Sequence, residues 1–270
     1  MLVTTNWLEE NIGLAHLRLF DCRYILGKSG AGFEAYAAGH IPGAVHLDVD
    51  RDLARPGGLA GGGPGRHPLP RAADFATTMS NAGVDSSISV VAYDDAGGAY
   101  AARLWWLLRY FGHEKVSLLD GGWTKWAAEK RPVSREIPQV KARAFKATAH
   151  PDWVVDKKEV EALRTSSDVL LLDARAPERF RGEVEPIDPK ASHIPGAKNA
   201  SVANNLEGPG KEFKSPEKLR EQFTALGAQE AKAIISYCGS GITACQNIFA
   251  LKLAGLDAKL YEGSWSDWSG

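Results

Sequence analysis

The chain carries the same set of blocks twice. Asp21-Cys22-Arg23 recurs as Asp173-Ala174-Arg175, and His40-Ile41-Pro42-Gly43-Ala44 recurs as His193-Ile194-Pro195-Gly196-Ala197. Val91-Ala92-Tyr93-Asp94 recurs as Ile235-Ser236-Tyr237-Cys238. Leu119-Asp120-Gly121-Gly122-Trp123, with Trp126, recurs as Tyr261-Glu262-Gly263-Ser264-Trp265, with Trp268. The order is the same in both halves. Two copies of so long a unit describe a duplicated domain, not a solenoid. A length of 270 residues holds two domains of ordinary size.

Short apolar runs in each half read as buried strands: 17–22, 88–93 and 116–119, then 169–173, 233–237 and 258–261. Helical patterns lie at 71–82, 99–111, 157–163, 216–226 and 243–253. Strands alternating with helices imply a mainly parallel sheet covered on both faces in each half. Functional groups then belong beyond the carboxyl ends of the strands. The stretch 131–151 has three prolines and scattered charge and reads as a linker. The expected division is 1–131, a linker at 132–151, and 152–270.

Cys238 stands at such a strand end. The run Cys238-Gly239-Ser240-Gly241-Ile242-Thr243 joins an apolar strand to an apolar helix. Glycines let the backbone curl, so that amide N–H groups and the helix N-terminus can favour thiolate over thiol. Asp94 holds the matching place in the first half. A carboxylate is no substitute for a thiolate nucleophile, so the first copy lacks this chemistry. Cys22, at a strand end, and Cys245, inside the following helix, read as packed thiols. His40 and His193 belong to a repeated turn fixed by Pro and Gly, and no cluster of candidate ligands has metal spacing. Trp123, Trp126, Trp265 and Trp268 read as core aromatics, and Arg175, matched by Arg23, as structural.

Composition narrows the classes further. A net charge of −1 gives no basic footprint for nucleic acid. The most apolar segment, 104–111, is too short to span a bilayer and contains Arg109. Three cysteines and no signal-like N-terminus fit a reducing compartment, and the expectation is cytoplasmic.

The paired His-Ile-Pro-Gly-Ala blocks, the Cys238 loop and the closing Gly-x-Trp blocks together resemble the two-domain rhodanese-type sulfurtransferases. That family comprises thiosulfate and 3-mercaptopyruvate sulfurtransferases. The resemblance implies an α/β fold of tandem duplicated rhodanese-like domains, each a mainly parallel sheet flanked by helices, with a silent N-terminal copy. It also implies site residues. Asp50 matches an Asp after the first His-Ile-Pro-Gly-Ala block. His67, in His67-Pro68-Leu69-Pro70, matches a His near the active loop. Arg179 matches an Arg that holds the anionic donor. The implied set is Cys238, Ser240, Asp50 and His67 for catalysis, and Arg179, Gly239, Gly241, Ile242 and Thr243 for substrate. The glycine-rich run 56–67, absent from the second half, is expected to let the silent domain form one wall of the cleft.

The resemblance implies a two-step transfer through a Cys238 persulfide, without metal or organic cofactor. The partners are a small-molecule sulfur donor and a thiophilic acceptor such as cyanide, a thiol or a thioredoxin-like protein. The loop favours 3-mercaptopyruvate, since Gly239 and Ser240 are neutral and thiosulfate is a dianion. The run Glu185-Pro186-Ile187-Asp188 lacks a second Arg that mercaptopyruvate enzymes usually carry there, which favours thiosulfate. Three other readings fit less well. A phosphatase loop needs an Arg where Ala244 stands. A non-catalytic binding module leaves the single retained Cys unexplained. A Cys238–Cys245 redox pair requires the loop to unfold.

Overall fold

A computed structural model describes residues 1–270. The chain divides into two compact units. The first comprises Met1–Ala54, Pro70–His150 and Gly208–Glu212; the second comprises Arg55–Leu69, Pro151–Glu207 and Phe213–Gly270.

In the first unit β1 (Leu2–Val3), β2 (Leu17–Asp21), β3 (Ala44–His46), β4 (Ser89–Tyr93) and β5 (Val116–Leu119) form one sheet in the order β1-β5-β4-β2-β3. Every pairing is parallel. The helices are α1 (Thr5–Asn11), α2 (Ala31–Ala38), α3 (Ala72–Asn81), α4 (Ala101–Tyr110) and α5 (Gly122–Ala128). In the second half β6 (Val154–Val155), β7 (Val169–Asp173) and β8 (Lys198–Asn199) come first. A two-stranded ribbon, β9 (Leu206–Glu207) with β10 (Glu212–Phe213), follows, then β11 (Ala233–Tyr237) and β12 (Lys259–Tyr261). The second sheet runs β6-β12-β11-β7-β8, again all parallel. Its helices are α6 (Lys157–Leu163), α7 (Pro177–Phe180), α8 (Pro216–Ala225), α9 (Ala244–Leu253) and α10 (Ser264–Trp268). No helix is long and apolar enough to cross a membrane.

The two sheets have one topology, and their cores match residue for residue. Leu8, Leu19, Ile41, Val91 and Tyr93 pack in the first; Val160, Leu171, Ile194, Ile235 and Tyr237 pack in the second. The central strands are buried on both faces, as their unbroken apolar runs require. The edge strands β1, β3, β6 and β8 and the short helices α1, α2, α5, α7 and α10 are absent from the sequence reading. Elements of two to eight residues are too short to show a period.

β2 and β7, which hold matching places in the two sheets, each end in a buried ion pair. The Arg23 guanidinium donates to the Asp21 carboxylate at 2.6–3.1 Å and to Gly39 O at 2.7 Å, and lies 4.4 Å from the Trp123 ring centroid. Arg175 repeats this with Asp173 at 2.7–3.1 Å, Ser192 O at 2.7 Å and the Trp265 ring at 4.8 Å. The repeated histidines are also structural. His40 Nδ1–H donates to Tyr36 O at 2.9 Å, and His193 Nδ1–H donates to Phe180 O at 2.7 Å. Each imidazole stacks on the same residue's ring at 3.9 Å.

Two segments depart from a simple cut at the proline-rich stretch. Residues 132–150 group with the first unit. Their backbone is engaged there: Ser134 and His40 exchange N–H···O bonds at 2.9 Å, and Thr148 N–H donates to Phe111 O at 3.0 Å. Phe145 is buried edge-on against Phe75. Conversely, Arg55–Leu69, which contains the whole glycine-rich run, groups with the second unit. In sequence it lies in the first half; in space it packs with the second unit.

Candidate active site

β11 delivers Cys238 just past its carboxyl end, and the ten-residue α9 begins six residues later at Ala244. The thiol is buried. Its Sγ accepts from the backbone N–H groups of Ser240 at 3.4 Å and Gly241 at 3.2 Å. Gly241 has φ +79°, and a side chain there would run into the Glu262 carbonyl, so only glycine closes this turn. Two backbone amides point at the sulfur, an arrangement that favours negative charge. The N–H groups of Ile242 and Thr243 do not reach it. Ile242 is buried and its carbonyl accepts from Cys245 N–H, while Thr243 precedes α9.

The loop is fastened to the closing Gly-x-Trp block. Cys238 O accepts from Trp265 N–H at 3.0 Å, and Gly239 O from Ser266 N–H at 2.9 Å. Ser264 is buried with φ +54°, a region unfavourable for a non-glycine residue. Its Oγ accepts from Cys238 N–H at 3.1 Å and donates to Tyr261 O at 2.9 Å. The first unit has Gly122 at this place, with φ +53° and no side chain to offer. Ser264→Gly is expected to keep stability within about 1 kcal/mol of wild type, since relieved strain offsets a lost bond. Turnover should still fall, by roughly tenfold or less, as the nucleophile's backbone loses an anchor. Thermal denaturation and steady-state rates on one preparation check both halves of this expectation.

His67 reaches the loop within the second unit. Its Nδ1 and Ser240 Oγ share a hydrogen bond of 2.7 Å, and its ring is buried. The segment is tied down on either side. Arg66 N–H donates to Ser266 Oγ at 3.1 Å and Leu69 N–H to Glu262 Oε2 at 2.9 Å. Asp50 belongs to the first unit, is exposed, and accepts from Tyr24 OH at 3.0 Å through both oxygens.

Arg179, on α7, holds the Glu185 carboxylate with Nη2 at 2.6 and 2.9 Å and Nε at 3.2 Å. The same Nη2 lies 3.5 Å from Asp188 Oδ2. Glu185 also accepts from Arg175 at 3.2 Å, so its carboxylate joins the structural pair to the site. Burial raises the Glu185 pKa, but hydrogen bonds from Arg179 and from the Asp188 and Ile187 amides outweigh it and hold the carboxyl below its usual range. Arg66, which the sequence reading missed, pairs through Nη1 with Asp188 Oδ1. The available signal was its position next to His67. Its guanidinium adds positive charge beside a loop whose own side chains are neutral.

The other thiols are ill placed. Cys22 is fully buried, and desolvation together with Asp21, Asp94 and Asp52 pushes its pKa well up. Cys245 lies inside α9 with its Sγ on Gly241 O at 3.3 Å. In the first unit, Asp94 fills the equivalent loop. Its carboxylate accepts from the N–H groups of Ala96, Gly98, Tyr100 and Ala101 at 2.7–2.8 Å.

A rhodanese-like domain model matches residues 4–129 and again 156–270. The chain belongs to the rhodanese-like family. A probable 3-mercaptopyruvate sulfurtransferase from Pseudomonas aeruginosa is 42% identical to this chain over 270 residues, covering 99% of the chain and 94% of the relative. The thiosulfate sulfurtransferase of Bos taurus is 34% identical, covering 99% and 91%. Among solved structures, the 3-mercaptopyruvate sulfurtransferase SseA of Escherichia coli superposes with TM-score 0.85 at 33% identity, covering 98% of each chain. The duplicated parallel-sheet fold of the chain is that of its relatives. The Asp94 loop yields a direct expectation. Asp94→Cys should acquire no sulfur, because a thiol alone does not supply a site that holds the donor. Peptide mass spectrometry after donor treatment reads the result. Asp94→Ala should lower stability by about 2–4 kcal/mol, because it strips four amides of the anion they bind.

Proposed function

We propose that this protein transfers sulfur from 3-mercaptopyruvate to a thiophilic acceptor through a persulfide on Cys238. The Cys238 thiolate attacks the donor sulfur. A Cys238 S–S bond forms, the donor's C–S bond breaks, and its electron pair leaves with the pyruvate enolate, which takes up a proton to become pyruvate. An acceptor thiol or cyanide then attacks the terminal sulfur and releases the Cys238 thiolate. Splitting the transfer this way predicts double-displacement kinetics. The observation that carries the reading is the pair of amide N–H groups on Cys238 Sγ, which would equally hold the persulfide. Gly239 and the rest of the Cys238–Thr243 loop shape that cradle. The Ser240–His67 pair is suited to deliver the proton. The sequence reading adds Asp50 to this relay, and Asp50→Asn tests it by its effect on the pH profile of kcat.

The reading of mercaptopyruvate as donor rests on the neutral Gly239 and Ser240 and on the likeness to mercaptopyruvate enzymes. Thiosulfate is the second reading, favoured by the lack of an arginine in Glu185-Pro186-Ile187-Asp188. Comparison of kcat/KM for the two donors decides between them; a higher value for thiosulfate overturns the first. For the acceptor we propose a small thiol or a thioredoxin-like protein in a reducing, cytoplasmic setting, in keeping with three free thiols. Arg179 would hold the donor carboxylate. Arg179→Ala is expected to lower kcat/KM by roughly ten- to a thousandfold. An unchanged value would return Arg179 to a purely structural pairing with Glu185.

A further inference from the structure

We propose that Arg66 is the second guanidinium of the donor-binding site, supplied by the glycine-rich segment and positioned by Asp188. The inference rests on the functional reading above for the identity of the anion, and on geometry for the site.

Both guanidinium groups converge on Gly239, the residue after the nucleophile. An atom at the position of a Gly239 Cβ would lie 3.0 Å from Arg66 Nη2, and 3.6 and 3.7 Å from Arg179 Nη2 and Nη1. The space over Gly239 is thus lined by N–H donors, and glycine keeps it open. One carboxylate bridges the two arginines: Asp188 gives Oδ1 to Arg66 Nη1 and faces Arg179 Nη2 with Oδ2. Its side chain is 2% exposed, so the bridge is fixed.

The donors are not all spent. Arg66 Nε is buried without a hydrogen-bond partner. Arg66 Nη2 and Arg179 Nη1 also have no acceptor in the protein. A buried N–H group without an acceptor is unfavourable, and a ligand oxygen relieves it. The surrounding charges balance. Arg66, Arg175 and Arg179 face Asp173, Glu185 and Asp188. A balanced cluster attracts ligand through directed N–H forks, not through excess charge. That favours a planar carboxylate, which a guanidinium fork fits, over a dianion.

The segment is built to present this side chain. Gly65 has φ +74°, and any side chain there would strike the Gly263 carbonyl and Ser266 Oγ. Arg66 N–H donates to Ser266 Oγ, in the block that also holds Cys238 and Gly239. Arg66 and the nucleophile therefore share one frame.

The test titrates pyruvate, the product anion, onto the full chain carrying Cys238→Ser, alone and combined with Arg66→Ala or the bulkier Arg66→Gln. Donor kinetics are measured on the same Arg66 variants with Cys238 intact. Pyruvate Kd should rise by roughly tenfold or more in both variants, and melting temperatures identify which of them keeps the fold. KM for 3-mercaptopyruvate should rise in parallel. The second half-reaction, from preformed persulfide to cyanide, should keep its rate, which a general disturbance of the loop would not allow. A Kd and KM within about twofold of wild type in the folded Arg66→Gln protein overturn the proposal. Loss of pyruvate binding in a protein whose parent transfers no sulfur would sink the functional reading and leave the clamp standing.

Discussion

Cys238→Ser is expected to leave no measurable sulfur transfer from any donor, while Cys22→Ser and Cys245→Ser retain most of it. The serine keeps the fold, since an oxygen can accept the same two amide bonds. A hydroxyl is a far weaker nucleophile and forms no persulfide. Intact-mass analysis of donor-treated wild type should show one added sulfur, released by cyanide and mapped to the peptide bearing Cys238. Sulfur on Cys22 or Cys245 would reassign the nucleophile, although burial and three acidic neighbours leave Cys22 little thiolate.

Arg175→Ala is expected to be the most damaging change to stability, at about 3–5 kcal/mol. The substitution strands Asp173 in the core and takes one partner from Glu185. Both carboxylates are 2% exposed or less. Urea denaturation monitored by tryptophan fluorescence measures the loss. Activity should fall as well, because Glu185 also holds Arg179. Arg23→Ala, which strands Asp21 in the first unit, should destabilise by a similar mechanism without touching Glu185. Comparison of the two variants separates the structural pairing from its reach into the site. Equal activity in Arg23→Ala and Arg175→Ala would mean that the Glu185 link does not matter for turnover.

The duplicated sheet was legible because its repeated blocks fall at the ends of central strands. There a strand buried on both faces needs an unbroken apolar run, and the turn after it needs Gly or a paired Asp and Arg. Cys238 was legible for the same reason: the turn that positions it has to be built from glycines. The edge strands were not, since Val154–Val155 or Lys198–Asn199 is held by its neighbour and not by any pattern of its own. Arg66 was missed for a different reason. Its importance lies in a partner, Asp188, that no local spacing relates to it. The absence of an arginine at Ile187-Asp188 looked like a missing part when read along the chain. In three dimensions Asp188 receives an arginine from elsewhere. Likewise, Ser264 gave no sign in sequence that it adopts φ +54° to hold the amide of Cys238.

The grouping of Arg55–Leu69 with the second unit bears on how the two halves could have diverged. After a duplication, one copy is commonly free to decay or to be discarded. Here the first half of the sequence carries Arg66 and His67, and both side chains bond to residues of the second unit, to which they themselves belong. Deleting that half would leave a nucleophile in its amide turn with neither the imidazole nor the second guanidinium. A chain whose first copy has lost its thiol is thus bound to keep it, and a fusion or truncation made at the proline-rich stretch would separate the reaction from part of its own machinery.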